Sequence, residues 1–201
     1  MKKEKTTQFL MKPKVDFCFK ELMEDEEVRN AFLAAVLGIN LEEINESKIL
    51  PSHLRQKDKD DKLGILNFIM FDDEEYYSRF HFWSDKGRKL YSDKFEIHTL
   101  ELPKLAKHDY PETELLKWLQ FINAETKEEF EMAAEKNEYI KKAYEDLNRI
   151  SADEEKRLEY EERERMIRDH QYFSTIYKET GLKEGLKEGL KEGLKEGRRQ
   201  A

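Results

Sequence analysis

From Pro111 to the C-terminus the chain contains no stretch written at strand spacing; apolar residues recur there at helical intervals, as in Leu115, Trp118, Leu119 and Ile122. Any sheet must therefore come from residues before Pro111. Three segments there have strand character. Gly64–Phe71 (GILNFIMF) is a continuous apolar run broken only by Asn67. Ser78–Trp83 alternates, with Phe80 and Phe82 on one face and Arg79, His81 and Trp83 on the other. Phe95–Leu102 places Phe95 and Ile97 on one face. Runs of this length and pattern read as strands. A short strand around Lys48–Leu50, ahead of Pro51, also fits. Ser84-Asp85-Lys86-Gly87 supplies a turn.

The flanking segments predict helices. Asp16 can N-cap a short helix carrying Phe17, Phe19, Leu22 and Met23. A second helix spans about Glu26–Leu37, with Val28, Phe32 and Val36 on one face and Gly38 as its C-cap. Thr126-x-x-Glu129 and Ser151-x-x-Glu154 are capping-box patterns. The helix after Thr126 buries Phe130, Ala133, Ile140, Tyr144 and Leu147. The helix after Ser151 has a thin stripe, Leu158, Met166 and Phe173, and is mostly exposed. The expected class is α+β: a sheet of about three strands packed by N- and C-terminal helices, with a long helical C-terminal extension.

The tail repeats Gly-Leu-Lys-Glu four times from Gly181 to Glu196. A four-residue period is close to one helical turn, so Leu182, Leu186, Leu190 and Leu194 form a slowly drifting stripe. Each glycine costs about 1 kcal/mol in a helix interior. The tail is a marginal helix alone, and pairing with another copy would bury its leucines. A solvated, partly helical tail and a self-association segment both fit.

Charged residues make up 41% of the chain and its formal net charge is -8. That acidity favours solubility and opposes bulk DNA affinity, without excluding a local basic patch. Cys18 is the single cysteine, so no internal disulfide forms, which fits a reducing, cytoplasmic setting. The basic start (Met1–Lys14) lacks the apolar run of a secretory signal. No stretch is apolar enough for a membrane span.

Metal-dependent hydrolysis needs convergent carboxylates. Asp58, Asp60 and Asp61 lie before the first strong strand; Asp72, Asp73, Glu74 and Glu75 lie after it. Asp58, Asp60, Asp61, Asp72 and Asp73 are the metal-ligand candidates, with Mg²⁺ the ion that oxygen donors suit. In so charged a chain, solvated turns are the favoured explanation of both clusters. Asp60-Asp61-Lys62 is an acid-x-Lys triplet, but Glu46-Ser47-Lys48, Glu125-Thr126-Lys127 and Glu154-Glu155-Lys156 share that pattern. A partner acid upstream is not readable. Nucleophile elbows and phosphate loops are absent from the sequence. Cys18, set among Phe17, Phe19 and Leu22, reads as a core residue. The histidines lack metal-ligand spacing, though His81 and His98 can be cross-strand neighbours. No catalytic or cofactor-binding residue is assigned.

Several stretches in order carry a resemblance: Pro13-Lys14-Val15-Asp16-Phe17-x-Phe19-Lys20-x-Leu22; Lys62-Leu63-Gly64-Ile65-Leu66; Ile69-x-Phe71; Tyr91-x-Asp93-Lys94-x-Glu96-Ile97-His98-x-Leu100-Glu101-Leu102-Pro103-Lys104; Trp118-x-x-Phe121-Ile122; and Glu155-Lys156-Arg157-x-Glu159-Tyr160-Glu161-x-Arg163-Glu164 before the glycine-spaced tail. Together they resemble the bacterial PD-(D/E)XK transposase-like family, the recombination-promoting nucleases, over about residues 11–197. The resemblance implies a restriction-endonuclease-like core that cuts DNA with Mg²⁺. In relatives, the Lys-Leu-Gly-Ile-Leu strand leads into an aspartate, a hairpin and a Glu-x-Gln strand. Here Asn67 follows Leu66, and the chain moves at once into Phe68-Ile69-Met70-Phe71. The resemblance thus implies an internal deletion that removes the catalytic carboxylates.

The expected organisation is a flexible N-terminus (1–12), a shortened nuclease-like core (13–150), an exposed helix (151–180) and the repeat tail (181–201). Function is expected to be that of a catalytically deficient family member retaining binding to DNA, to itself or to a full-length paralogue. The alternatives are a non-enzymatic helical interaction module, and a live Mg²⁺-dependent nuclease with a rebuilt site.

Overall fold

The computed structural model describes residues 9–49, 62–92 and 96–200, the backbone alone for 62–64 and 192–200. Helix α1 (Asp16–Met23) and helix α2 (Glu26–Leu37) open the chain. Strands β1 (Lys62–Leu66), β2 (Tyr77–His81) and β3 (Glu96–Glu101) follow, then α3 (Glu114–Asn123), α4 (Lys127–Ala134), α5 (Glu138–Ala152) and α6 (Glu154–Gln200). Two units result, one ending at Arg157 and the other beginning at Leu158.

The α+β expectation holds. The sheet has three strands in the order β1-β3-β2. β1 runs parallel to β3, with Leu66 beside Glu101, and β2 runs antiparallel to it, with Arg79 opposite His98 and His81 opposite Glu96. The strand last in sequence is central. Its residues His98 to Glu101 are buried, whereas β2 is more open.

The helices of the first unit form around a chain of rings. Phe19 meets Phe32, Phe32 meets Trp118, Trp118 meets Phe121, and Phe121 meets Phe130, each edge-on at 5.5–6.3 Å between centroids. Phe130 then stacks on Tyr144. These rings come from α1 through α5, so one aromatic path ties all five helices together. Edge-to-face geometry sets a ring's positive edge against its neighbour's negative face, adding to the burial of area.

The caps follow local chemistry. Gly38 ends α2 in the left-handed region at φ 67°, as the sequence predicts. Asp25 caps its start, accepting from the Val28 N–H. Thr126 and Glu129 form the expected capping box of α4.

Elsewhere the expectations need correction. Asp16 is the first residue of α1 rather than its cap; Val15 precedes it, and the Asp16 carboxylate instead pairs with Lys20 one turn on at 2.9 Å. The segment after Thr126 is two helices, because Asn137 turns its side chain onto the Tyr139 and Ile140 N–H groups and starts α5. Ser151 is not a cap. It lies buried in the last turn of α5, where its Oγ accepts the Met11 N–H at 3.0 Å. Asp153 starts α6 in its place, accepting from the Lys156 N–H. Lys48 and Ile49 are not in a strand, and Leu50 lies outside the described residues. Nearby, Arg29 pins Ser47 through both its side-chain and its backbone oxygen, so an arginine from α2 fixes this segment.

The largest correction concerns Gly64–Phe71. Only the part to Leu66 is strand; Phe68, Ile69 and Met70 are 58%, 41% and 57% exposed. The ladder ends because the Met70 and Phe71 N–H groups turn to the Glu101 carboxylate. Continuous apolarity resembled burial but here marks surface. The strand expected from Ser78 to Trp83 starts at Tyr77 and closes at His81, with Trp83 continuing into an isolated bridge to Leu90.

The second unit is the remainder of α6, whose Leu158, Met166 and Phe173 are 68%, 52% and 53% exposed, as the thin stripe suggested. Pairs such as Glu164–Arg168 at 3.5 Å support it along its surface. Among the described residues no helix is long and apolar enough to cross a membrane.

Candidate functional site

Parallel pairing brings the carboxyl ends of β1 and β3 side by side. Asn67 follows β1 at that end, exposed, its amide donating to the Lys14 carbonyl at 3.3 Å. Glu101 closes β3 and is only 1% exposed. One carboxylate oxygen of Glu101 accepts the Met70 and Phe71 N–H groups at 2.6 and 3.3 Å; the other accepts Lys104 Nζ at 3.1 Å. A short 3₁₀ turn, Leu102–Lys104, carries Pro103 and brings the lysine back over the acid.

Lys104 is as buried as Glu101, at 1%. Its ammonium also donates to Asp73 at 2.7 Å and to the Glu75 carbonyl at 2.9 Å. An ammonium has three protons, and here three acceptors take them. Burial pushes the Glu101 carboxyl up, but the Met70 N–H, the Lys104 ammonium and the Phe71 N–H outweigh it and hold the group below its ordinary range. Burial likewise pushes Lys104 down, while Asp73 and Glu101 prevail and raise it. The hydrogen bond from Lys104 lowers Asp73. The result is a closed ionic knot that fastens residues 70–75 to the end of β3.

The other sheet face holds a second cluster. Tyr77, Arg79 and His81 share it with Glu96, His98 and Leu100, since directly opposed residues point the same way. The Glu96 carboxylate lies 2.6 Å from His81 Nε2 and 3.3 Å from His98 Nε2, with Arg79 at 3.9 Å. Tyr77 Oη is 3.0 Å from His98 Nδ1. The two histidines are therefore not directly opposed; they converge on one acid. Burial raises the Tyr77 hydroxyl, Arg79 opposes this and Glu96 adds to it. The cluster cross-links β2 to β3 through polar side chains and presents no activated nucleophile.

Of the metal-ligand candidates, Asp58, Asp60 and Asp61 lie outside the described residues. Asp72 is exposed, and Asp73 is engaged by Lys104. Among the described residues, no three His, Cys, Asp or Glu side chains are grouped so as to hold a metal ion. Cys18 is fully buried, and burial, then Glu21, drives its thiol far up. That suits a core residue and leaves no thiolate to react.

Residues 63–175, more than half of the 201-residue chain, match the model of the PD-(D/E)XK nuclease family transposases. The chain belongs to this family. The match takes in the whole sheet except Lys62, helices α3 to α5, and α6 as far as Thr175. Neither curated proteins nor solved structures gave a match.

In this PD-(D/E)XK family chain, Mg²⁺ is the ion that the resemblance implies. The described donors do not fit it. Asn67 offers a neutral amide, and the two carboxylates of the knot, Glu101 and Asp73, already face an ammonium. A divalent cation would have to displace Lys104 from an almost fully buried position. Sequence reading missed the knot because Glu101 and Lys104 entered only as part of a familiar string. The available signal was Glu-Leu-Pro-Lys: a proline-bearing tight turn sets an acid and a lysine three apart on one side.

Proposed function

We propose that this chain is a shortened, catalytically deficient PD-(D/E)XK transposase-family protein that retains DNA binding and associates with copies of itself or with a longer paralogue. The family match supports a DNA-directed role. The observation that carries the deficiency is the end of β1: an amide at Asn67, and next to that strand end a Glu101 carboxylate committed to Lys104 and to two backbone donors. Metal-assisted phosphodiester cleavage needs carboxylates free to bind and orient the ion.

The test is nicking of supercoiled plasmid by protein that melts cooperatively, with Mg²⁺ and with EDTA. The expected result is equal, background nicking in both, for the native chain and for Asn67→Asp, since one added carboxylate does not free Glu101. Mg²⁺-dependent nicking that co-elutes with the protein would instead overturn the deficiency and point to Asp58, Asp60, Asp61, Asp72 and Asp73 as candidate ligands of a rebuilt site.

A specific feature of α6 favours association as a second property. A Cβ placed on Gly181, Gly185 or Gly189 would meet nothing within 4 Å. Crowding within the chain therefore gives no reason for residues that each cost about 1 kcal/mol in a helix. Beside this glycine row runs a leucine row, Leu182, Leu186 and Leu190, 67%, 66% and 69% exposed. Rows with a spacing of four are the ridges and grooves of helix packing, and the leucine ridge of one copy can seat in the glycine groove of another at about -50°. A chain ending at Thr180 is expected to lose self-association in sedimentation equilibrium. Oligomers that survive the truncation would remove the tail from the interface.

A further inference from the structure

We propose that the hairpin following β2 is a binding platform for single-stranded DNA, which stacks unpaired bases on exposed rings and tracks the backbone with lysine and arginine. The proposal rests on the DNA-directed reading above and gives it a location.

Beyond His81 the chain runs to the tip and returns. Tyr91 N–H donates to the Phe82 carbonyl at 2.7 Å, and Ser84 N–H to the Lys89 carbonyl at 2.9 Å, flanking the antiparallel bridge from Trp83 to Leu90. Arg88, in the left-handed region at φ 46°, closes the loop, and Ser84 Oγ accepts the Lys89 N–H. A residue with a side chain at positive φ is uncommon and is held by its surroundings. Here the surroundings are the Ser84 backbone and hydroxyl, so the tip has a defined shape.

The ladder fixes which rings share a side. Trp83 lies with Leu90, and Phe82 with Tyr91. Phe82, Trp83 and Tyr91 are 47%, 53% and 84% exposed. Aromatic surface is thus offered on both faces of a ribbon that stands in solvent. Between Phe82 and Tyr91 the sequence carries three cations, Lys86, Arg88 and Lys89, against one acid, Asp85, in a chain of net charge -8. All three cations are exposed.

This combination identifies the ligand class. Exposed rings on either side of a cationic tip are what a base-stacking surface requires: each base offers a π-face, and each phosphate a charge. A protein partner fits less well, because lysine is depleted at protein interfaces while Lys86 and Lys89 lie at the tip. Duplex DNA would satisfy the charges but leave the rings idle, since its base faces are already stacked on one another. A single strand satisfies both.

The test uses the full-length chain in EDTA and a fluorescein-labelled oligothymidylate of about 20 nucleotides, longer than a typical single binding site. Anisotropy is expected to show tighter binding of this strand than of a duplex of equal length. Trp83→Ala and Tyr91→Ala are each expected to weaken it roughly 5- to 100-fold. Lys86→Glu with Lys89→Glu is expected to weaken it and to flatten its salt dependence by about 0.7 in log–log slope for each phosphate no longer neutralised. Trp83 also reports directly. Stacking should quench its emission, while Trp118, 1% exposed, serves as an unquenched monitor of the fold. Binding that these variants leave unchanged would overturn the hairpin platform but leave DNA binding elsewhere on the chain. Equal or tighter binding of duplex would overturn the single-strand assignment. No binding of either DNA would overturn both the platform and the DNA-binding reading.

Discussion

Glu101→Gln is expected to destabilise the folded chain by about 1.5–3 kcal/mol, because it removes the buried carboxylate that takes hydrogen bonds from Lys104 and two backbone N–H groups, and leaves Lys104 paired with the half-exposed Asp73 alone. Glutamine can still accept the Met70 N–H through its amide oxygen. It carries no charge to set against Lys104, and its NH₂ group is a fourth donor among three groups that already donate. Adding Lys104→Met to that variant should restore part of the stability, since the apolar side chain removes a buried charge that has lost its buried counter-charge and keeps only Asp73. The effects of neighbours in one network are not additive, so the double variant lying closer to the native chain than Glu101→Gln is the signature to seek. Urea unfolding followed by tryptophan emission measures all three proteins. A decrease below about 1 kcal/mol, the range of exposed ion pairs, would mean that water reaches the knot.

The same variant should change the acid limb of stability. The Glu101 carboxyl is held below its ordinary value in the fold, with burial opposing and the Met70 N–H and Lys104 prevailing. Its contribution is therefore complete above the unfolded-state value of about 4.3 and is lost as pH falls through the lower, folded value. Lys104 is raised, so its share is complete below about 10.4 and disappears only as pH rises through its folded value. Glu101→Gln should thus flatten the fall in stability below pH about 4.3. It should not abolish that fall, because Asp25, Glu125 and Glu129 are also held low.

Trp118→Ala is the second change with a large expected effect, about 3–5 kcal/mol. The indole is 1% exposed, edge-on to Phe32 at 5.6 Å and to Phe121 at 6.3 Å, and it joins the rings of α1 and α2 to those of α3 and α4. Removing it leaves a void that neither ring can fill without moving away from its other partner. For a chain of this size the midpoint of thermal unfolding should fall by about 6–20 °C, read by circular dichroism. Trp83→Ala, on an exposed position, should stay within about 0.5 kcal/mol of the native chain. Equal effects at the two tryptophans would mean that the aromatic path does not organise the helices.

Much of the local architecture can be read directly from the residues. Helix α2 begins and ends as its spacing indicates, because an acid before the first turn and a glycine after the last act within a few residues. The same holds for the Thr126 box and for the turn before Gly87. Ser151 shows the limit. Its pattern with Glu154 is a sound capping box, but the Met11 N–H, 140 residues away in sequence, takes its hydroxyl into the core. The apolar run after Leu66 shows the same limit in reverse, since its strand is cut short by an acid on β3.

By itself, then, the sequence determined both ends of α2 and the start of α4, that the sheet would be small, and which family the motifs resemble. The helix ends depend on residues near one another along the chain, and the resemblance on short local motifs in a fixed order. Tertiary structure decided that β3 is central, that Glu101, Lys104 and Asp73 close on one another, and that the rings and cations of the β2 hairpin stand in solvent. Those outcomes rest on strand register and on burial, which are set by segments tens of residues apart. No local period or spacing encodes which distant charge will neutralise a buried one.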